Sequence, residues 1–266
     1  MAIAAVCQMS SGPDRAHNLE RALSLVERAA GRGATFIALP ENFELMASAA
    51  EKRAQADALE GETLRPLREI ARRLEVTILA GSFAERSAIP GKVHNTSALL
   101  LPDGALAAAY RKIHLFDVDV GDGAVYHESE LVAPGADTVV ADTPAGRVGL
   151  SICYDLRFPE LYRRLSEDGA EILCVPSAFT LATGKDHWEP LLRARAIENQ
   201  CYVVAPAQWG EHPGRRVTYG HSLIADPWGT VLCACPDGEG VALAELDLEA
   251  LTRVRRRLPA LRHRKL

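Results

Sequence analysis

Apolar residues along this chain follow two alternating rhythms. Residues 3–9, 35–39 and 76–80 are short apolar runs of the kind that forms buried strands. Between the first two lie Leu19, Ala22, Leu23, Val26, Ala29 and Ala30, one face of a helix opened by Pro13 and Asp14 and closed by Gly31 and Gly33. Thr63 is placed to cap a second helix with Leu64, Leu67, Ile70, Ala71 and Leu74 on its apolar side. Residues 97–101 and 105–110 flank Pro102-Asp103-Gly104 and predict a hairpin. Further strands are expected over 147–152, 171–175, 201–205, 219–225, 230–235 and 241–246. Pro159 suits the first turn of a helix. Asp186 and Glu189 suggest that another starts near Trp188 and runs to about residue 199. Residues 248–257 predict the last helix.

This order of elements predicts an α/β fold of layered sheets covered by helices rather than a purely doubly wound sheet. We read residues 1–266 as one domain, with 248–266 as a C-terminal helix and basic tail. Residues 116–138 read as a long loop rich in Gly, Asp and Glu, and a loop of that length in a compact domain is usually functional.

Charge and cysteine content narrow the classes. A formal net charge of -5 argues against nucleic-acid binding, and the dense basic run, from Arg253 to Lys265, suits a solvated or subunit-contacting face. The N-terminus lacks a signal-peptide pattern, and no apolar run approaches the roughly 18 to 20 residues of a membrane span, so a cytoplasmic protein is expected. In that setting Cys7, Cys153, Cys174, Cys201, Cys233 and Cys235 are expected as free thiols. The Cys233/Cys235 pair alone is weak evidence for a metal, and none is expected.

Three strand ends carry titratable groups. Glu41 follows FIALP, Lys112 follows the run ending at Tyr110-Arg111, and Cys153 follows VGLSI. Ligands gather at the carboxyl ends of strands in α/β sheets. If these strands are neighbours, a base, a cation and a nucleophile meet at one edge, as covalent hydrolysis requires. Taken singly, Cys153 also reads as a small core hydrophobe, Glu41 as a loop carboxylate or helix N-cap partner, and Lys112 as a solvated strand-end lysine. No G-x-S-x-G, H-E-x-x-H or P-loop pattern is present.

LPENF around Glu41, YRKIHLFD around Lys112 and SICYDLRFPE around Cys153 resemble the three signature blocks of the nitrilase superfamily of carbon–nitrogen hydrolases, in the family's order. PSAFT, HWEPLLRARAIENQCYVVAPAQ and YGHSLIADPWG fit as well, and are most similar to the branch containing the deaminated-glutathione amidases, with ω-amidases as near relatives. The resemblance implies a four-layer αββα sandwich that pairs into a homodimer or larger homo-oligomer. It implies Glu41 as base, Lys112 as oxyanion cation, Cys153 as nucleophile and Glu128, in YHESE, as a second glutamate beside the lysine. The backbone N–H of Tyr154 is the expected second oxyanion donor. The activity implied is hydrolysis of a small carboxylate-bearing amide to acid and ammonia through a thioester, with no cofactor. Arg157, Phe179, Thr180, Arg215 and Arg216 are candidates for substrate binding. Arg193, Arg195 and His212 are further candidates, each equally readable as structural.

Overall fold

The computed structural model describes residues 1–119, 121 and 125–265. In chain order its first half contains β1 (Ala2–Gln8), α1 (Arg15–Ala30), β2 (Phe36–Ala38), α2 (Ala49–Ala54), α3 (Arg65–Leu74), β3 (Thr77–Arg86), β4 (Val93–Leu100) and β5 (Leu106–Arg111). Then follow β6 (Asp117–Asp119), β7 (Val125–His127), β8 (Val140–Thr143), β9 (Gly146–Leu150), α4 (Pro159–Glu167), β10 (Ile172–Cys174) and α5 (Leu181–Asn199). The remainder is β11 (Tyr202–Ala205), β12 (Trp209–His212), β13 (Arg216–Tyr219), β14 (Leu223–Ala225), β15 (Val231–Ala234), β16 (Gly240–Leu246) and α6 (Leu248–Arg257).

Two six-stranded sheets result, ordered β16-β1-β2-β3-β4-β5 and β15-β14-β11-β10-β9-β8. Strands β1, β2 and β3 are parallel at the centre of the first, and β9, β10 and β11 at the centre of the second. Alternation along each strand sends successive side chains to opposite faces. In β1, Ala4 and Val6 point into the core shared with Leu150, Ile172 and Val203 of the other sheet, whereas Ala5 and Cys7 join Val26 of α1 and Leu67 of α3. Helices α4 and α5 cover the second sheet through Leu161, Leu165, Trp188 and Leu192. The layers are therefore α, β, β, α. Among the described residues no helix is long and apolar enough to cross a membrane.

The apolar rhythm located most elements, and four local readings need correction. Helix α5 begins at Leu181, not near Trp188. Thr180 enters it with extended backbone, Asp186 and Glu189 lie inside it, and Pro190 is carried within it. Thr63 does not cap α3, whose N-cap is Leu64; the Thr63 hydroxyl donates instead to Asp57 Oδ2 at 2.9 Å. The stretch 116–138 is not all loop, since β6 and β7 pair within it and Glu128–Glu130 forms a 3₁₀ turn. The strand expected over 219–225 is split into β13 and β14, with Gly220 and His221 at positive φ between them. The C-terminal basic run is partly tied down: Arg255 donates to the carbonyls of Gln200 and Ala170, and Arg264 pairs with Glu167.

One close approach sets the backbone beside the future site. Strand β3 bulges between Ala80 and Phe83. At Gly81, φ is +25° and a Cβ would lie 1.9 Å from the Pro40 carbonyl oxygen. Only glycine lets the Pro40–Asn42 segment cross β3 so closely. Ser82 Oγ then accepts from the Asn42 amide at 3.1 Å.

Candidate active site

Glu41 leaves β2 through Leu39-Pro40 and is 2% exposed. Its Oε1 accepts from Lys112 Nζ at 3.0 Å and Asn95 Nδ2 at 2.9 Å, and its Oε2 from the Ala178 amide at 2.9 Å. Lys112 follows β5 directly and is equally buried. Its Nζ lies 2.8 Å from Glu128 Oε2 and 3.1 Å from Oε1, so the ammonium sits between two carboxylates. Glu128 is held by the Phe116 amide at 2.7 Å and by Asn95 Nδ2 at 3.2 Å. The 3₁₀ turn within 116–138 is thus what carries Glu128 to the lysine.

Cys153 opens a 3₁₀ turn, Cys153–Arg157, after β9. Its φ is +48°, a left-handed conformation that is strained for a non-glycine residue, and such strain clusters at functional sites. Its amide donates to the Pro176 carbonyl at 3.0 Å, and its thiol interacts with the Glu41 carboxylate. Asp155, fully buried, fixes the turn: Oδ2 accepts from the Ile152 amide at 2.8 Å and Tyr110 Oη at 2.7 Å. Oδ1 accepts from the His114 amide at 3.1 Å and meets His114 Nδ1 at 2.7 Å.

Charge states follow from this packing. Burial pushes the Glu41 carboxyl up, but Lys112, Arg216 and its hydrogen bonds outweigh that and hold it down to about 2. Burial works against the Lys112 charge, yet Glu128 and Glu41 raise its pKa above the ordinary lysine range. Burial, then the Glu41 charge, push the Cys153 thiol well up, only partly offset by Lys112. The resting site therefore holds a carboxylate, an ammonium and a neutral thiol.

The cluster opens into a cavity of about 420 Å³ lined also by Tyr154, Phe179, Thr180, Lys52 and Arg216. Two expected binding arginines lie elsewhere. Arg157 is not in the lining; its guanidinium stands 5.2 Å from the Phe179 ring and 3.3 Å from His187 Nδ1. Arg215 is exposed, at a φ of 62° that turns the chain so that Arg216 faces inward in its place. Arg193 pairs with Glu189 across one helical turn, and Arg195 holds the Leu156 carbonyl and Glu198. His212 is buried against the Ser11 carbonyl and Thr218, and burial pushes its pKa down to about 4. Asn95, Lys52, Asp155 and the Ala178 amide were not anticipated. Asn95, a polar residue amid the buried run of β4, was the detectable signal among them.

The family model described as carbon-nitrogen hydrolase matches residues 3–256. A protein from Synechocystis sp. named deaminated glutathione amidase is 49% identical over 265 residues, covering 98% of this chain and 97% of its own. The Homo sapiens protein of the same name is 45% identical over 268 residues, covering 99% of this chain and 82% of its own. Among solved structures, the Saccharomyces cerevisiae Nit3 protein, a member of the nitrilase superfamily, superposes with a TM-score of 0.88 at 33% identity, covering 97% of this chain and 94% of its own.

Proposed function

This chain belongs to the carbon-nitrogen hydrolase family, and on that premise we propose that Cys153, Glu41 and Lys112 hydrolyse a carboxylate-bearing amide of the deaminated-glutathione type. The observation that carries the reading is the Lys112 ammonium clamped between Glu41 and Glu128, with the Cys153 thiol beside Glu41 at the floor of one cavity.

Because the thiol is neutral at rest, Glu41 takes its proton as sulfur attacks the amide carbon. The C–S bond forms, and the carbonyl oxygen becomes an oxyanion. Lys112 Nζ faces that charge, and the Tyr154 N–H is the backbone donor, the Cys153 N–H being committed to Pro176. Protonated Glu41 then delivers its proton to the leaving nitrogen as the C–N bond breaks. Water attacks the thioester with Glu41 again as base, releasing the acid and restoring the thiol. Glu128 keeps Lys112 charged and aimed. A primary amide releases ammonia by this route. Glutathione is a tripeptide whose amides are peptide-type, so its deaminated form releases an amine.

The test is hydrolysis of deaminated glutathione, α-ketoglutaramate, simple aliphatic amides and a nitrile, with amine and ammonia measured separately. We expect deaminated glutathione to have the highest kcat/KM and Cys153→Ala to be inactive yet folded. A fully active Cys153→Ala overturns the nucleophile assignment, and a preference for α-ketoglutaramate overturns the substrate.

A further inference from the structure

The cavity holds two cations that the hydrolytic cycle does not use. Lys52 projects from α2, and Arg216 opens β13, far apart in sequence but on the walls of the same space. Each is bonded to a neutral oxygen. Lys52 Nζ donates to Asn42 Oδ1 at 2.7 Å, and Arg216 Nη2 to the Ala178 carbonyl at 2.9 Å. Neither makes an ion pair with a carboxylate among the described residues. Arg216 Nε is buried without a hydrogen-bond partner, an arrangement that leaves a guanidinium donor unsatisfied. The guanidinium also lies over the Tyr126 ring, 5.7 Å from its centre.

The two charges are near enough to oppose each other. Burial, then the Arg216 charge, push the Lys52 pKa down, although Glu44, Glu41 and Glu128 pull it up. Like charges brought together in a poorly hydrated cavity cost free energy unless an anion joins them. Asn42, which anchors Lys52, is itself held at a φ of 52°, and it directly follows Glu41. Arg216 is likewise one peptide from the chemistry, because the Ala178 carbonyl it binds belongs to the residue whose amide holds Glu41.

We propose that Lys52 and Arg216 form a two-point carboxylate site that seats one end of the amide substrate while its carbonyl lies against Cys153. This rests on the reading of Cys153 as nucleophile. Arginine suits planar, two-bond recognition of a carboxylate, and the lysine adds a compact second charge. A deaminated-glutathione-type substrate offers a carboxylate on each side of its γ-amide. Fixing one of them converts remote binding energy into placement of the reacting carbon.

Calorimetry with the two halves of that substrate, 2-oxoglutarate and cysteinylglycine, tests the site and identifies which carboxylate it takes. One half should bind the native chain and lose about tenfold or more in affinity in both Lys52→Met and Arg216→Gln. Lys52→Arg should recover part of the loss, which a purely structural lysine would not require. KM for deaminated glutathione should rise in parallel. Loss for 2-oxoglutarate places the site on the acyl side, and loss for cysteinylglycine on the leaving side. Unchanged affinities in both variants, or no binding of either half at millimolar concentration, overturns the proposal. Binding needs no turnover, so a chain that binds through these residues but hydrolyses nothing fails the hydrolase reading alone.

Discussion

Tyr110 Oη donates to Asp155 Oδ2 at 2.7 Å, and this bond ties β5, the strand just before Lys112, to the turn that begins at Cys153. Tyr110 lies in β5 of the first sheet, and Asp155 in the turn that follows β9 of the second. With the His114 amide also donating to Asp155, the segment after Lys112 and the segment after Cys153 are braced by one carboxyl group. Neither Tyr110 nor Asp155 lines the cavity, so both act through what they position.

Asp155→Asn should therefore damage both stability and rate. The new amide turns one acceptor into a donor where donors already point, leaving buried groups unsatisfied at about 1–3 kcal/mol each. We expect a lower urea midpoint and a kcat at least tenfold down. Native values of both would show that the brace is dispensable.

Glu128→Gln should lower kcat about 10- to 100-fold while leaving Glu41 in place. It removes the charge 2.8 Å from Lys112 Nζ and leaves one acceptor oxygen where two had served Lys112, the Phe116 amide and Asn95. Intact-protein mass after mixing with substrate will show whether acyl-enzyme accumulates on Cys153. Native kinetics without an adduct would mean that Glu41 alone suffices to hold the lysine.

Gly81→Ala tests the backbone crossing that carries Glu41. A Cβ 1.9 Å from the Pro40 oxygen forces the two segments apart. The combined strain and overpacking should cost about 3 kcal/mol or more. The residual folded protein should be slow, because Glu41 is the next residue along. A normal kcat would show that the crossing can widen without moving the carboxylate.

The rate profile should lack an acid limb from Glu41. Its carboxyl is held down to about 2, so it stays ionised wherever the fold survives. We expect kcat/KM to vary little from about pH 5 to about pH 9. A limb near pH 6 that disappears in Glu44→Gln belongs to that neighbour. One that persists contradicts an ionised Glu41.

Stability should show the opposite sign at Glu44. Burial pushes its carboxyl up to about 6, with Oε2 unpartnered. A raised carboxyl pKa stabilises the fold below the ordinary value of 4.5 and loses that contribution as pH rises through about 6. The part lost is at most about 2 kcal/mol. Denaturation midpoints at about pH 4.5 and about pH 7 should differ less in Glu44→Gln than in the native chain. An equal difference in both would assign the effect elsewhere.

Local pattern alone located the strands before Glu41, Lys112 and Cys153, because strand periodicity and the breakers Pro40 and Pro159 are properties of a few neighbouring residues. The three signature blocks likewise pointed to one chemistry before any contact was known. What they could not contain is which side chain crosses a sheet. Asp155 sits two residues from Cys153, yet its role depends on Tyr110 and His114, which only the packing of two sheets brings to it. Arg215 and Arg216 are indistinguishable as a dipeptide; one positive φ sends the first to solvent and the second to the cavity. Nothing in the local pattern singles out Lys52; it is a cavity residue only because the fold places its Nζ on Asn42. Short-range preferences act within a turn or a strand, whereas the sign and satisfaction of a buried charge depend on residues far along the chain. That is why Glu41, Lys112 and Cys153 could be singled out in the sequence and their surroundings only in the folded molecule.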